Sequence, residues 1–163
     1  PLIIIIRILK GKESLKRFKE KLGFFTKKRV AGNLIWFHGA SVGEIHSIIP
    51  LIEKIEKDKK IKQILITSNT LSSSYILKKI KLKKIINQFF PIDCNFVSNK
   101  FLNYWKPSKA FFIDSEIWPN MICNLKNRNI PITLLNARIT KKTFNRWMKL
   151  PKFSKFILSL IHI

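Results

Sequence analysis

Glu44 is one of only nine acidic residues in the chain, and it closes the stretch LIWFHGASVGE at 34–44, a short apolar run that gives way to His38, two glycines and a carboxylate. A carboxylate at such a turn can take the proton from a substrate hydroxyl within hydrogen-bond reach, which is the work of a general base. An acid in the first turn of a helix is also favoured by the macrodipole alone, so position leaves both roles open. Gly39 and Gly43 allow backbone to come close to a ligand, and Ser41 adds a hydroxyl between them. The G-x-x-x-G spacing lacks the Lys and the terminal Ser or Thr of a phosphate-cradling loop.

Asp114 and Glu116 flank Ser115 and form the second concentration of acid. In extended backbone, alternate residues point the same way. The two carboxylates are then expected side by side, where repulsion raises one pKa or a cation is held. An ion pair with Arg138 or a nearby Lys explains the same acids, since structural pairs also perturb carboxyl groups. Asn136 and Arg138 follow a third apolar run, and an Arg fork suits phosphate or carboxylate. His38 and His46 have no companions at metal-ligand spacing and read as satisfied core or turn histidines. Trp118 beside the acids reads as packing.

These residues need a frame that brings them together. From residue 34 onward, short runs rich in Ile, Phe and Val alternate with longer polar or amphipathic stretches, the pattern of βα units and a parallel sheet. Strands are expected at Leu34–His38, Gln63–Thr67, Ile85–Pro91, Ala110–Ile113 and Ile132–Leu135. Helices are expected at Glu44–Lys57, Leu71–Lys83, Asn95–Trp105 and Pro119–Asn129, with two short helices separated by Pro151 after Arg138. In a parallel sheet all the strand ends share one edge, so Glu44, the Thr67–Thr70 run, Asp114, Glu116, Asn136 and Arg138 converge on one crevice. Thr, Ser and Asn at 67–70 also serve as helix caps.

At 163 residues the chain suits one domain with a proper core, and 46% hydrophobic content excludes a disordered basic tail. A formal charge of +23 points to anionic partners: nucleic acid, lipid head groups or phosphorylated substrates. Lys far exceeds Arg, and much of a Lys excess is ordinary solvated surface. No nucleic-acid motif is present, and the aromatics sit in apolar runs instead of among the basic residues. Two isolated Cys give neither zinc spacing nor a disulfide framework. The opening PLIIIIRIL is far short of the ~20 residues of a spanning helix. Because residue 1 is Pro, the run reads as the tail of a longer apolar anchor. Nine basic residues against Glu13 and Glu20 follow over Lys10–Arg29, a juxtamembrane pattern for an anionic cytoplasmic leaflet and also the pattern of an ordinary amphipathic surface helix.

HGASVGE at 38–44, FPID at 90–93, DSEIWPN at 114–120 and NARIT at 136–140 resemble, in order and spacing, the amino-terminal half of the Kdo transferases. That family adds 3-deoxy-D-manno-octulosonic acid (Kdo) to the lipid A precursor. The resemblance runs from about Arg7 to the end and includes RFKEKLGF at 17–24, which in the family follows a single membrane anchor. It implies a GT-B glycosyltransferase whose Rossmann-like acceptor domain is residues 30–163, preceded by a membrane-proximal segment at 1–29. The donor domain is absent from the chain, which alone is expected to be inactive. The implied reaction moves Kdo from CMP-Kdo to a hydroxyl of lipid IVA in lipopolysaccharide biosynthesis, without metal or other cofactor, at the cytoplasmic face of the bacterial inner membrane. In this reading Glu44 is the general base and Asp114 supports the transition state. Ser41, Gly43, Glu116, Asn136 and Arg138 bind acceptor. Asp114 and Ser115 stand where the family pattern has Glu and Thr, which shortens the acid's reach by one methylene. A noncatalytic membrane-associated remnant is the alternative, and a basic nucleic-acid binder a more distant one.

Overall fold

Apolar runs too short for helices pair here as strands. The computed structural model describes residues 17–79 and 82–162. Strands β1 (Asn33–His38), β2 (Ile61–Ser68), β3 (Ile85–Phe89), β4 (Lys109–Ile113) and β5 (Ile132–Leu135) form one sheet in the order β3-β2-β1-β4-β5. Every pairing is parallel. The sheet is laid down from its central strand outward to β3, and then on the other side of β1 with β4 and β5.

Alternation along β1 divides the core. Leu34 and Trp36 enter one cluster with Leu65, Phe101, Trp105, Met121 and Leu125. Phe37 enters the other with Ile45, Ile52, Ile64 and Ile66. The first cluster lies beneath α5 (Asn95–Trp105), α6 (Pro119–Lys126) and α8 (Pro151–Ser159), and the second beneath α2 (Val42–Ser47), α3 (Ile49–Glu56) and α4 (Leu71–Lys79). With both faces covered, β2 is buried continuously from Gln63 to Ser68, as parallel strands are. The α/β class and the flanked parallel sheet are those expected from the sequence.

The differences have local causes. The helix expected at 44–57 is two helices, because Pro50 has no N–H to give and its ring opposes the carbonyl one turn back. Ile48 ends α2 and starts α3, which carries the proline in its first turn. The third strand stops at Phe89, before the donorless Pro91. Helix α6 ends at Lys126, and Asn129 turns the chain left-handed at φ 54° ahead of Pro131. The helix expected at 71–83 is described to Lys79, and residues 80 and 81 lie outside the described residues. Pro151 does separate two short helices, α7 (Lys141–Trp147) and α8. Beyond α8, His162 pairs in parallel with Thr133 on the outer side of β5.

Of the membrane-proximal stretch at 1–29, residues 1–16 lie outside the described residues. Residues 17–29 pack on the domain. Glu20, in the short helix α1 (Phe18–Lys21), is only 1% exposed although charged. Its carboxylate accepts from Arg17 Nε and Nη2, both at 2.8 Å, and from the Phe89 N–H at 2.9 Å. Arg17 also donates to Ser74 Oγ and Asn87 Oδ1. A guanidinium-carboxylate pair therefore covers the free edge of β3, a place where strands need protection. Phe25 stacks on Tyr104 with ring centroids 4.3 Å apart. Glu20→Ala leaves the Arg17 charge without its carboxylate and the Phe89 N–H without its acceptor, and chemical denaturation is expected to show a loss of about 3 kcal/mol; a loss below about 1 kcal/mol would deny the clamp its role.

Candidate active site at the strand ends

The crevice of an open α/β sheet falls where neighbouring strands send their chains to opposite sides. Here that point lies between β1 and β4, and the loops leaving them carry His38, Gly39, Ser41 and Glu44 on one side and Asp114 to Trp118 on the other. Gly39 is buried, and a Cβ there would lie 3.1 Å from Ile113 Cδ1 and 3.2 Å from Glu44 Cβ. Its lack of a side chain lets the β1 turn rest against the end of β4. That is a packing use, distinct from the ligand approach anticipated for it. Gly43, in the first turn of α2, faces open space.

Ser41 caps α2 by accepting the Glu44 N–H, and its hydroxyl donates to Glu44 Oε1 at 2.7 Å. Glu44 Oε2 accepts the Ala40 N–H at 2.8 Å. The arrangement is a variant of the capping box, with the carboxylate reaching one residue further back. It fixes Glu44 in a half-buried position at the turn. Two bonds on an ionised carboxylate, which offers about four lone-pair sites, leave room for a substrate hydroxyl.

His38 is fully buried and satisfied at both nitrogens, as a core histidine must be. Nδ1 meets Thr67 Oγ1 at 3.0 Å, and Nε2 donates to Glu116 Oε2 at 3.1 Å. Trp36 Nε1 donates to Thr67 Oγ1 at 2.9 Å and Trp118 Nε1 to Glu116 Oε2 at 2.9 Å. The His38 ring stacks on Phe90 with centroids 3.9 Å apart. A polar chain thus runs from the interior through β2 and β1 to the loop after β4. Trp118 packs against Phe90, as anticipated, and also supplies a hydrogen bond.

The acids at 114 and 116 are not a side-by-side pair. Asp114 is left-handed at φ 57°, a conformation that Asp tolerates better than most residues, and it bends the chain where extended backbone was expected. Its Oδ1 accepts from Asn136 Nδ2 at 2.5 Å and lies 3.8 Å from Arg138 Nε. Asn136 is itself left-handed at φ 53°. Arg138 is 70% exposed, so its pairing with Asp114 is loose. Glu116 turns the other way, to His38. The anticipated upward pKa shift is reversed there: burial pushes the Glu116 carboxyl up, but the hydrogen bond and charge of His38, with the Trp118 N–H, outweigh it and leave the group below its ordinary 4.5.

Asp93 has a role that its own sequence neighbourhood does not reveal. Helix α6 starts after Trp118, which has no side-chain acceptor to cap it, and Asp93 fills that need by accepting from Met121 N at 2.8 Å and Asn120 N at 3.1 Å. The signal was a helix start with Pro119 and no capping residue of its own. At 67–70, Thr70 does cap α4, through the Ser73 N–H. Among the described residues no group of three or more His, Cys, Asp or Glu is placed to hold a metal ion, and no helix is long and apolar enough to cross a membrane.

Strand order and the polar loops that diverge after β1 and β4 define a Rossmann-like α/β domain. Residues 16–163 match the family described as 3-deoxy-D-manno-octulosonic-acid transferase (kdotransferase), and the chain belongs to that family. It is 40% identical over 157 residues to the 3-deoxy-D-manno-octulosonic acid transferase of Rickettsia bellii, covering 96% of this chain and 37% of the relative. It is 37% identical over 141 residues to a probable mitochondrial enzyme of that name from Arabidopsis thaliana, 86% of this chain and 32% of the relative. The Haemophilus influenzae transferase is 30% identical over 142 residues, 83% and 32% respectively. The chain therefore spans about a third of the length of the curated relatives it matches.

Glu116 yields a prediction with a definite sign. Its folded pKa lies below the unfolded value, so its stabilisation is complete above the unfolded pKa and disappears as pH falls through the folded one. Denaturant unfolding is expected to show Glu116→Gln costing more stability near pH 7 than near pH 3; an equal cost at both would contradict the pairing.

Proposed function

We propose that this chain is the acceptor-binding half of a Kdo transferase, which moves Kdo from CMP-Kdo to a hydroxyl of the lipid A precursor lipid IVA. The observation that carries this reading is Glu44, fixed by Ala40 and Ser41 at the turn after the central strand, within the motif that the family resemblance rests on. Glu44 takes the acceptor hydroxyl's proton as that oxygen forms its bond to the anomeric carbon of Kdo, while the bond from that carbon to the phosphate oxygen breaks and CMP leaves with the electron pair. Asp114, held by Asn136, supports the charge that develops in the transition state. Ser41, Gly43, Glu116, Asn136 and Arg138 hold the acceptor, with Arg138 exposed enough to meet an acceptor phosphate. CMP-Kdo binds to a second domain outside this chain, and no metal takes part. The +23 charge suits an anionic acceptor at the cytoplasmic face of the inner membrane, with the basic residues at 10–29 against the lipid surface.

A chimera tests the assignment: this chain joined to the remaining length of the Rickettsia bellii relative, assayed with CMP-Kdo and lipid IVA. Transfer is expected, and Glu44→Ala is expected to lower kcat by about 10²–10⁴-fold, the usual range for general-base catalysis, with an unchanged circular dichroism spectrum. Undiminished turnover in Glu44→Ala would remove Glu44 from the mechanism.

A further inference from the structure

His38 is too deeply buried to touch a substrate, and both of its ring nitrogens are engaged. What it holds is not buried to the same degree. The Glu116 side chain is 16% exposed, and both of its donors, His38 Nε2 and Trp118 Nε1, converge on Oε2. Oε1 accepts no hydrogen bond from the described residues, and it is not among their buried unpaired atoms. The carboxylate therefore has one oxygen locked from behind and one open to solvent at the crevice edge of the sheet.

We propose that His38 is a positioning residue for acceptor binding: by fixing Glu116 Oε2, it aims Glu116 Oε1 at a hydroxyl of the acceptor sugar. This rests on the reading of Glu116 as an acceptor-binding residue. The imidazole is well braced for the task. Thr67 meets Nδ1 and is itself held by the Trp36 indole and the Phe37 carbonyl, while Phe90 stacks on the ring face. A donor with its ring plane and far nitrogen both fixed delivers its N–H along one direction, which is how outer partners orient the groups that meet a ligand. With Trp118 as the only donor, the carboxylate regains rotation about its terminal torsion, which is broad in the absence of a second partner. A pair that served stability alone would have no need to leave an oxygen open.

Two substitutions separate aim from stability. His38→Phe keeps an aromatic ring on Phe90 and removes the donor. His38→Gln carries an amide N–H to about the place of Nε2. The measurements are the affinity of the 163-residue chain for lipid IVA in detergent micelles, its melting temperature, and the titration of the Glu116 side-chain carboxyl carbon by NMR. His38→Phe is expected to weaken binding about tenfold, the scale of one hydrogen bond to a charged group, and to move the Glu116 titration upward. His38→Gln is expected to recover most of the affinity, and Glu116→Gln combined with His38→Phe to bind no more weakly than Glu116→Gln alone. Wild-type affinity in His38→Phe overturns the proposal, as does a loss in His38→Gln equal to that in His38→Phe. A wild-type chain that binds no lipid IVA overturns the acceptor reading, and the positioning role with it.

Discussion

The hydrogen bond between His38 and Glu116 spans the one place where the sheet's own ladder stops helping. Strands β1 and β4 are paired along their length, but beyond them the chain turns to opposite faces, into α2 on one side and toward α6 on the other. Backbone pairing cannot tie loops that diverge. A buried imidazole reaching a carboxylate can, and it sets the distance between the turn that carries Glu44 and the loop that carries Asp114. Gly39 closes the same gap by contact, since its missing side chain is the space that Ile113 and Glu44 fill.

Scarcity of acid gives the rest of the architecture its logic. Glu20, Glu44, Glu56, Asp58 and Asp93 all accept from backbone N–H groups. Asp114 accepts from an amide and Glu116 from an imidazole and an indole. These carboxylates cap helices, cover an edge and bind loops, so few remain to neutralise lysines at the surface. The positive field is left standing, and it falls off over a Debye length of about 8 Å at physiological ionic strength. An anionic partner meets that field before it meets the crevice.

The strands and the shared edge were legible because burial on both faces writes uninterrupted apolar runs, and because parallel order follows from the helical stretches between them. Residues 34–37, 64–66 and 110–113 show this directly, whereas edge strand β5 alternates and carries Thr133. Two things were not legible. Backbone hand is invisible in a residue letter, so the left-handed Asp114 that separates the two acids read as ordinary extended chain. Partners distant in sequence are equally invisible: Asp93 capping a helix 27 residues away and His38 finding Glu116 required the fold itself. Pro50 does mark a break in its helix, although the apolar periodicity continues through it.

The strand order also fixes when the crevice can exist. His38 and Glu116 stand 78 positions apart, so their contact waits on the closure of a long loop, which is slow in all-parallel sheets. During synthesis β1, β2 and β3 are complete before β4 is made, and in that interval the central strand is an apolar edge, paired with β2 on one side and open on the other. Such an edge invites pairing with other chains. The arrival of β4 ends that exposure and brings Glu116 to His38 in the same step, and β5 follows with Asn136 and Arg138, so a chain that has formed its site has also covered both sides of its central strand.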